Sequence, residues 1–246
     1  MAKNTLYGTH SVIEAITAGT QIEKIYLQKD TQNERLKELK SLAIKHNVPF
    51  QMVPMEKIRS LCPTGNHQGV VALMAEIFYQ PLEELLISLK AENKIPLLVM
   101  LDGVTDVRNV GAIARSAECM GAHALILPTS GSAAINADAI KVSAGALSHL
   151  PVCRESHLLD VAYMLQSYEI PLFACTEKSK DTIFEMDFTS AVCLVFGAED
   201  KGISTGILKV CEKRAKIPMQ GHVESLNVSV SVGMVLCEVV RQRLLS

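Results

Sequence analysis

The sequence lacks most of the features that assign a function at sight. It has no excess charge of one sign: 24 Lys and Arg stand against 26 Asp and Glu, for a formal net charge of −2. That excludes nucleic-acid binding through a globally polybasic surface, so any such role must rest on locally gathered cations. It has no apolar run near the ~20 residues that span a bilayer. The opening MAKNTLYGTH has no apolar signal core, so a cytoplasmic protein with no membrane partner is expected. CxxC is absent: the 7 cysteines stand singly at 62, 119, 153, 175, 193, 211 and 237, mostly within apolar runs, which reads as reduced, buried thiol. The 7 histidines form neither HxH nor HExxH, so no metal is expected. What is present is a globular balance of 48% hydrophobic and 20% charged residues, enough for one large core or two smaller ones.

Periodicity divides the chain into alternating elements. A helix is expected over Thr9–Ala18, a strand over Lys24–Gln28, a charged amphipathic helix over Gln32–His46, and extended runs over Pro49–Val53 and Gly69–Met74. Together these suggest a small α/β domain over residues 1–76. Residues 77–94, with Pro81 and the short amphipathic LEELLISLK, read as a linker. From 95 to 246 the chain is more apolar. Strands are expected at PLLVML, ALILP, IPLFAC, AVCLVFG and AKIPM, with helices over Gly111–Gly121, Asp138–Leu147, His157–Ser167 and near Ser204–Cys211. Continuous apolar strands separated by helices imply a parallel sheet covered on both faces. The stretch from Asn227 alternates like a strand for six residues, but its length and later spacing favour a helix with Asn227 near its start. Residues 1–76 hold 9 basic and 7 acidic side chains, and 95–246 hold 13 and 16; the first excess is too small to establish RNA binding.

Three loops follow sheet strands, at the edge where open α/β folds bind ligands. DGVTDVRNVG carries Asn109, and Arg115 lies one turn into the next helix, so both could face one cleft; by themselves they also fit a helix cap and a surface arginine. GAEDKGIS, from Gly197, resembles a phosphate loop but has Ile203 where the lysine is required, which disfavours nucleoside triphosphate hydrolysis. Its Glu199 would repel polyphosphate and suits a cationic or hydroxyl-bearing ligand. IPMQGHVESLNVSVS places Ser225 and Asn227 at a helix start, where such residues usually cap. Neither GxSxG nor a partnered histidine surrounds Ser225, so it is not read as a nucleophile.

These segments resemble, in order, the three signature motifs of the SpoU-type, TrmH-like RNA ribose 2'-O-methyltransferases of the SPOUT superfamily: LDGVTDVRNVGAIARSAECMGA, LVFGAEDKGIS and IPMQGHVESLNVSVSVG. YGTHSVIEAI and HQGVVAL extend the resemblance toward the bacterial enzymes that methylate a guanosine ribose in 23S rRNA. Val107 departs from the usual proline, Asp200 from a common glycine and Ser231 from a frequent alanine; none removes a polar group that the family uses.

The resemblance implies an α/β fold: a C-terminal parallel sheet with a deep trefoil knot, and an N-terminal domain resembling a ribosomal RNA-binding protein. It implies a homodimer with composite sites, RNA as substrate, and S-adenosylmethionine as cofactor. Arg115, Asn109, Glu199, Ser225 and Asn227 are the implied catalytic group, with Glu199 orienting Arg115 or a dimer-related loop and Ser225 buttressing it. Gly197, Ile217, Met219 and Leu226 are the implied cofactor contacts, although the last three would otherwise read as core. A guanidinium stays protonated in proteins, which favours orientation and electrostatics over base catalysis for Arg115. Methylation of tRNA, or noncatalytic RNA binding on the same fold, are the alternatives.

Overall fold

The computed structural model describes residues 5–29, 33–63, 65–223 and 225–245, and the chain divides into two units, Met1–Phe78 and Tyr79–Ser246. In the first unit the described elements are β1 (Thr5–Tyr7), α1 (Thr9–Thr17), β2 (Ile22–Gln28), α2 (Glu34–Lys45), β3 (Phe50–Val53), α3 (Met55–Leu61) and β4 (Val70–Met74). The sheet order is β1-β4-β2-β3, with β2 and β3 parallel and the other pairs antiparallel. Alternation along β4 explains the layering: Val70 and Ala72 join Ile25 and Leu27 beneath α1 and α2, whereas Val71 packs with Val53, Ile58 and Cys62 on the α3 side. On α2, Leu36, Leu39 and Ala43 are the buried stripe, and Asn33 caps the helix by accepting the Arg35 N–H. Gln32, the expected start of that helix, lies outside the described residues. The fold joins the two N-terminal motifs, since Thr9 donates its N–H (3.0 Å) and its hydroxyl (2.8 Å) to Gln68 Oε1.

The second unit holds a six-stranded, wholly parallel sheet. Its elements are α4 (Leu82–Ala91), β5 (Leu97–Asp102), α5 (Val107–Cys119), β6 (Ala124–Pro128), α6 (Ala137–Val142), β7 (Val152–Glu155), α7 (Leu158–Ser167), β8 (Leu172–Cys175), β9 (Val192–Gly197), α8 (Thr205–Val210), β10 (Lys213–Ala215) and α9 (Val228–Leu245). The strand order is β10-β8-β9-β5-β6-β7. In β5, Leu98 and Met100 enter the core cluster beneath α4, α7 and α8, while the intervening Leu97, Val99 and Leu101 are equally buried. Both faces of the sheet are therefore covered, as unbroken apolar strands require.

The structure departs from the sequence reading at several places, with β1, α3 and β7 among the elements not expected. The expected linker contains α4, whose Leu82, Leu85, Leu86 and Leu89 recur at helical spacing and are buried in the core of the second unit. AKIPM is not a strand: β10 ends at Ala215, and Pro218, with no N–H to give a ladder, takes the next residues out of the sheet. α5 begins at Val107 rather than Gly111, because Asp106 caps it by accepting the Arg108 N–H at 2.7 Å. Cysteine is less uniformly buried than expected. All seven are free, but Cys119 and Cys237 are exposed on α5 and α9, while Cys175 and Cys211 are half-buried.

Candidate functional site

β5 has its sequence neighbour β6 on one side and the distant β9 on the other. The strand order thus switches between β5 and β9, where a crevice opens beyond the strand ends. The last residues of the two strands, Asp102 and Gly197, are paired there. Asp102 fixes the loop that leaves β9: its carbonyl accepts the Ala198 N–H (3.1 Å) and its carboxylate the Ser204 N–H (2.7 Å). The loop closes on itself through Gly202 N–H to Ala198 O at 2.8 Å. It comes so close to Gly197 that any Cβ there would overlap the Gly202 carbonyl carbon and the Ile203 amide nitrogen. Only glycine fits. The role of Asp102 escaped the sequence reading; a carboxylate closing an otherwise apolar strand was its signal.

The turn presents Glu199 to the starts of two helices. Glu199 Oε1 accepts Asn109 Nδ2 (3.2 Å), Asn227 Nδ2 (2.8 Å) and the Val228 N–H (3.5 Å). Asn227 Nδ2 also donates to Asn109 Oδ1 (3.0 Å), and Asn227 Oδ1 caps α9 by accepting the Ser229 N–H at 2.9 Å. One carboxylate oxygen thus fixes both amides, in charge-assisted bonds, and ties the β9 loop to the starts of α5 and α9.

Beside this cluster lies a cavity of about 330 Å³, lined by Gly197, Glu199, Ile217, Met219, Ser225 and Leu226 among others. Met219 and Leu226 are each 38% exposed, which is incompatible with plain core packing. The opposite wall, Cys175 to Lys178 beyond β8, was not anticipated. Burial holds the Cys175 thiol far above its usual titration range, so this wall presents a neutral thiol rather than a thiolate. Ser225 lines the cavity, and no hydrogen bond joins it to the other described residues.

Arg115 is not part of the cluster. It is exposed on α5 and makes no hydrogen bond or ion pair with the described residues. Six residues separate it from Asn109, which is about 9 Å of rise and about 120° of rotation, so the two side chains leave different faces. The expected contact between Glu199 and Arg115 is therefore not made within one chain; Glu199 holds the two asparagines instead. Among the described residues no three His, Cys, Asp or Glu could together hold a metal ion, and no helix is long and apolar enough to cross a membrane.

A doubly covered parallel sheet with a glycine-cornered cavity at its switch point and an Asn–Glu–Asn cluster beside it defines an α/β ligand-binding protein whose β9 loop lacks the lysine of a phosphate loop. Comparison with known proteins makes the class specific. Residues 96–237 match the SpoU rRNA Methylase family, and residues 5–80 match the RNA 2'-O ribose methyltransferase substrate binding family. The chain belongs to the SpoU rRNA methylase family and is an RNA methyltransferase. It is 34% identical over 239 residues to the 23S rRNA (guanosine-2'-O-)-methyltransferase RlmB of Yersinia pestis, covering 97% of each chain. It is also 34% identical over 240 residues to RlmB of Ralstonia nicotianae, covering 97% of this chain and 95% of that one. Among solved structures, the SpoU methyltransferase AviRb of Streptomyces viridochromogenes, determined in complex with AdoMet, aligns over 98% of this chain and 91% of its own with a TM-score of 0.63 at 24% identity. The TrmH/SpoU tRNA modifying enzyme of A. aeolicus aligns over 65% of this chain and 83% of its own, with a TM-score of 0.55 at 27% identity.

Proposed function

We propose that this chain transfers a methyl group from S-adenosylmethionine to the ribose 2'-hydroxyl of a guanosine in 23S rRNA. The observation that carries the reading is the shared oxygen of Glu199, which joins Asn109 and Asn227 at the mouth of the cavity. Support for the RNA class comes from the relatives. Those that match both units include the 23S rRNA guanosine enzymes alongside proteins named only as tRNA/rRNA methyltransferases, and the tRNA-modifying neighbour aligns with 65% of the chain.

The cavity suits the cofactor. Its volume of about 330 Å³ lies within the usual range for small-molecule sites. Ile217, Met219 and Leu226 offer apolar surface to an adenine, and the lining carries three carboxylates, Glu177, Glu199 and Asp200, against two lysines, Lys178 and Lys201, a mixed set that matches a cofactor bearing a sulfonium, an ammonium and a carboxylate. Gly197 lets the backbone approach. When bound, S-adenosylmethionine supplies an electrophilic methyl whose leaving group, a neutral thioether, needs no acid. The chain's own task is to align the weak nucleophile and stabilise charge on it. Asn109 and Asn227, held by Glu199, position the ribose. Arg115 stabilises the developing alkoxide and stays protonated throughout, and Ser225 supports the cofactor-facing loop.

Because Arg115 leaves α5 away from the cluster, this reading places it in the site of a second copy. The last helix supports a homodimer. α9 buries Val232, Val235, Leu236 and Val239 within its own unit, yet Val230 and Met234 remain 49% and 44% exposed, with Cys237 exposed one turn further on. A helix that is apolar on a second face calls for a second partner. The same reading includes the trefoil knot over the C-terminal segments and RNA capture by residues 1–76. Within that part, Lys24 lies 5.5 Å from the centroid of the Tyr26 ring and Lys37 is paired with Glu34 at 2.7 Å.

Mixing inactive Arg115→Ala and inactive Asn227→Ala chains tests the composite site. Heterodimers carry one intact site, so partial activity is expected. A fully active monomer, or a proven heterodimer without activity, would overturn it. Saturable heat in a titration with S-adenosylmethionine is expected as well, and its absence would leave a noncatalytic RNA-binding protein.

A further inference from the structure

A second cavity, of about 820 Å³, opens at the start of α5, lined by Thr105, Asp106, Arg108, Asp138, Lys141 and neighbours. It is separate from the cofactor cavity and has no part in the chemistry above. One feature ties it to the reaction: Arg108 is adjacent in sequence to Asn109, so the cavity begins one residue from the cluster that positions the ribose.

The cations there are loosely engaged. Arg108 has an 80% exposed side chain whose one ion pair among the described residues, to Asp106, is loose at 3.9 Å. Lys141 is exposed and has no partner among the described residues. Asp106 is occupied as the cap of α5, and Asp138 stands in the first turn of α6. Two cations beside two carboxylates make a poor sink for a free anion. They suit a ligand that brings phosphate together with hydroxyl and base N–H donors, which is a nucleotide within a strand.

Resting on the methyltransferase reading, we propose that this cavity holds the phosphodiester backbone of the target RNA next to the methylated ribose, with Arg108 and Lys141 as its phosphate contacts. A 2'-hydroxyl in a strand is flanked by phosphates, so fixing them fixes the nucleophile. Arg108 and Lys141 therefore position the substrate and do not act on the transferred methyl.

The test is the affinity of the full-length chain for a 23S rRNA transcript across a salt series, without cofactor, together with steady-state methyl transfer. For Arg108→Gln/Lys141→Gln the slope of log K against log salt should become shallower by about 1.4, at roughly 0.7 per lost single-strand contact. KM for RNA should rise at least about tenfold at 150 mM salt, the scale on which a few phosphate contacts govern affinity, with kcat changing less and S-adenosylmethionine affinity constant. Arg108→Lys/Lys141→Arg, which keeps both charges, should retain the parental slope. Unchanged slope and KM in the glutamine variant would overturn the proposal, as would a charge-retaining variant that behaves like it. Loss of RNA affinity in a chain that transfers no methyl would keep the cavity's assignment and retire the reaction; normal transfer with unaltered RNA affinity would do the reverse.

Discussion

Replacing Glu199 by alanine removes the oxygen that both Asn109 and Asn227 donate to, leaving their mutual hydrogen bond and the Ser229 cap. Glu199 Oε1 accepts both side-chain amides, at 3.2 and 2.8 Å, and the residue is exposed, so each bond falls at the low end of charge-assisted values. At about 1–1.5 kcal/mol apiece, the loss of both should cost about 2–3 kcal/mol of transition-state alignment, or about 30- to 150-fold in kcat/KM for RNA. Glu199→Gln keeps an acceptor oxygen in the same position and loses only the charge, so a fall of about tenfold or less is expected, half the free-energy loss of the alanine variant. The assay is methyl transfer to rRNA isolated from a strain lacking this gene, at saturating S-adenosylmethionine, with thermal unfolding measured in parallel. Unfolding should hardly change, because the carboxylate is exposed and supports no core contact. An alanine variant within twofold of the parent would refute the reasoning. So would a glutamine variant as poor as the alanine one, since the shared acceptor would then not be what matters.

Gly197→Ala should abolish cofactor binding with little loss of overall stability, since the new Cβ can be accommodated only by displacing the Gly202–Ile203 backbone; calorimetric titration with S-adenosylmethionine checks this, and normal binding would show the turn to be pliable. Arg243→Ala should destabilise the second unit by about 2–4 kcal/mol in denaturant unfolding, because its guanidinium donates to the carbonyls of Phe188, Ile95, Pro96 and Ser190, all left without that donor. Stability should also fall in mild acid. His123 is half-buried and accepts the Leu97 N–H at 3.1 Å through Nδ1, and burial, followed by the nearby Lys94 and Arg243, holds its pKa below the ordinary value. The contribution of the neutral ring is complete above about pH 6.5, its unfolded value, and is lost as pH falls through the depressed folded pKa. His123→Gln should flatten that part of the unfolding profile.

The sheet was legible wherever its strands are buried on both faces. Runs such as those of β5, β6 and β9 need no partner context to be recognised. β7 was missed because its four residues, VCRE, end in two charges, and α4 because its leucine stripe is short and follows Pro81. The start of α5 depended on which of several polar residues would cap it, which local sequence leaves open. At the site the limit was of another kind. Asn109, Glu199 and Asn227 meet from positions 90, 118 and 28 residues apart, so only the motif resemblance could group them. Ile217, Met219 and Leu226 are apolar and look like core in the sequence until the cavity that they line is seen. Arg115 is grouped with the cluster by the motif resemblance alone: it lies about 120° around α5 from Asn109, and the single chain does not bring it to Glu199 or Asn227.

The account is tested most directly by locating the transferred methyl. The purified chain is incubated with methyl-labelled S-adenosylmethionine and unmodified 23S rRNA, and the RNA is then hydrolysed with alkali. Methylation of a ribose 2'-oxygen blocks cleavage at the adjacent phosphodiester, so the account predicts label confined to an alkali-resistant dinucleotide with guanosine at its 5' side. Label recovered in mononucleotides, and hence on a base, or no transfer by a chain that still binds RNA, would contradict it.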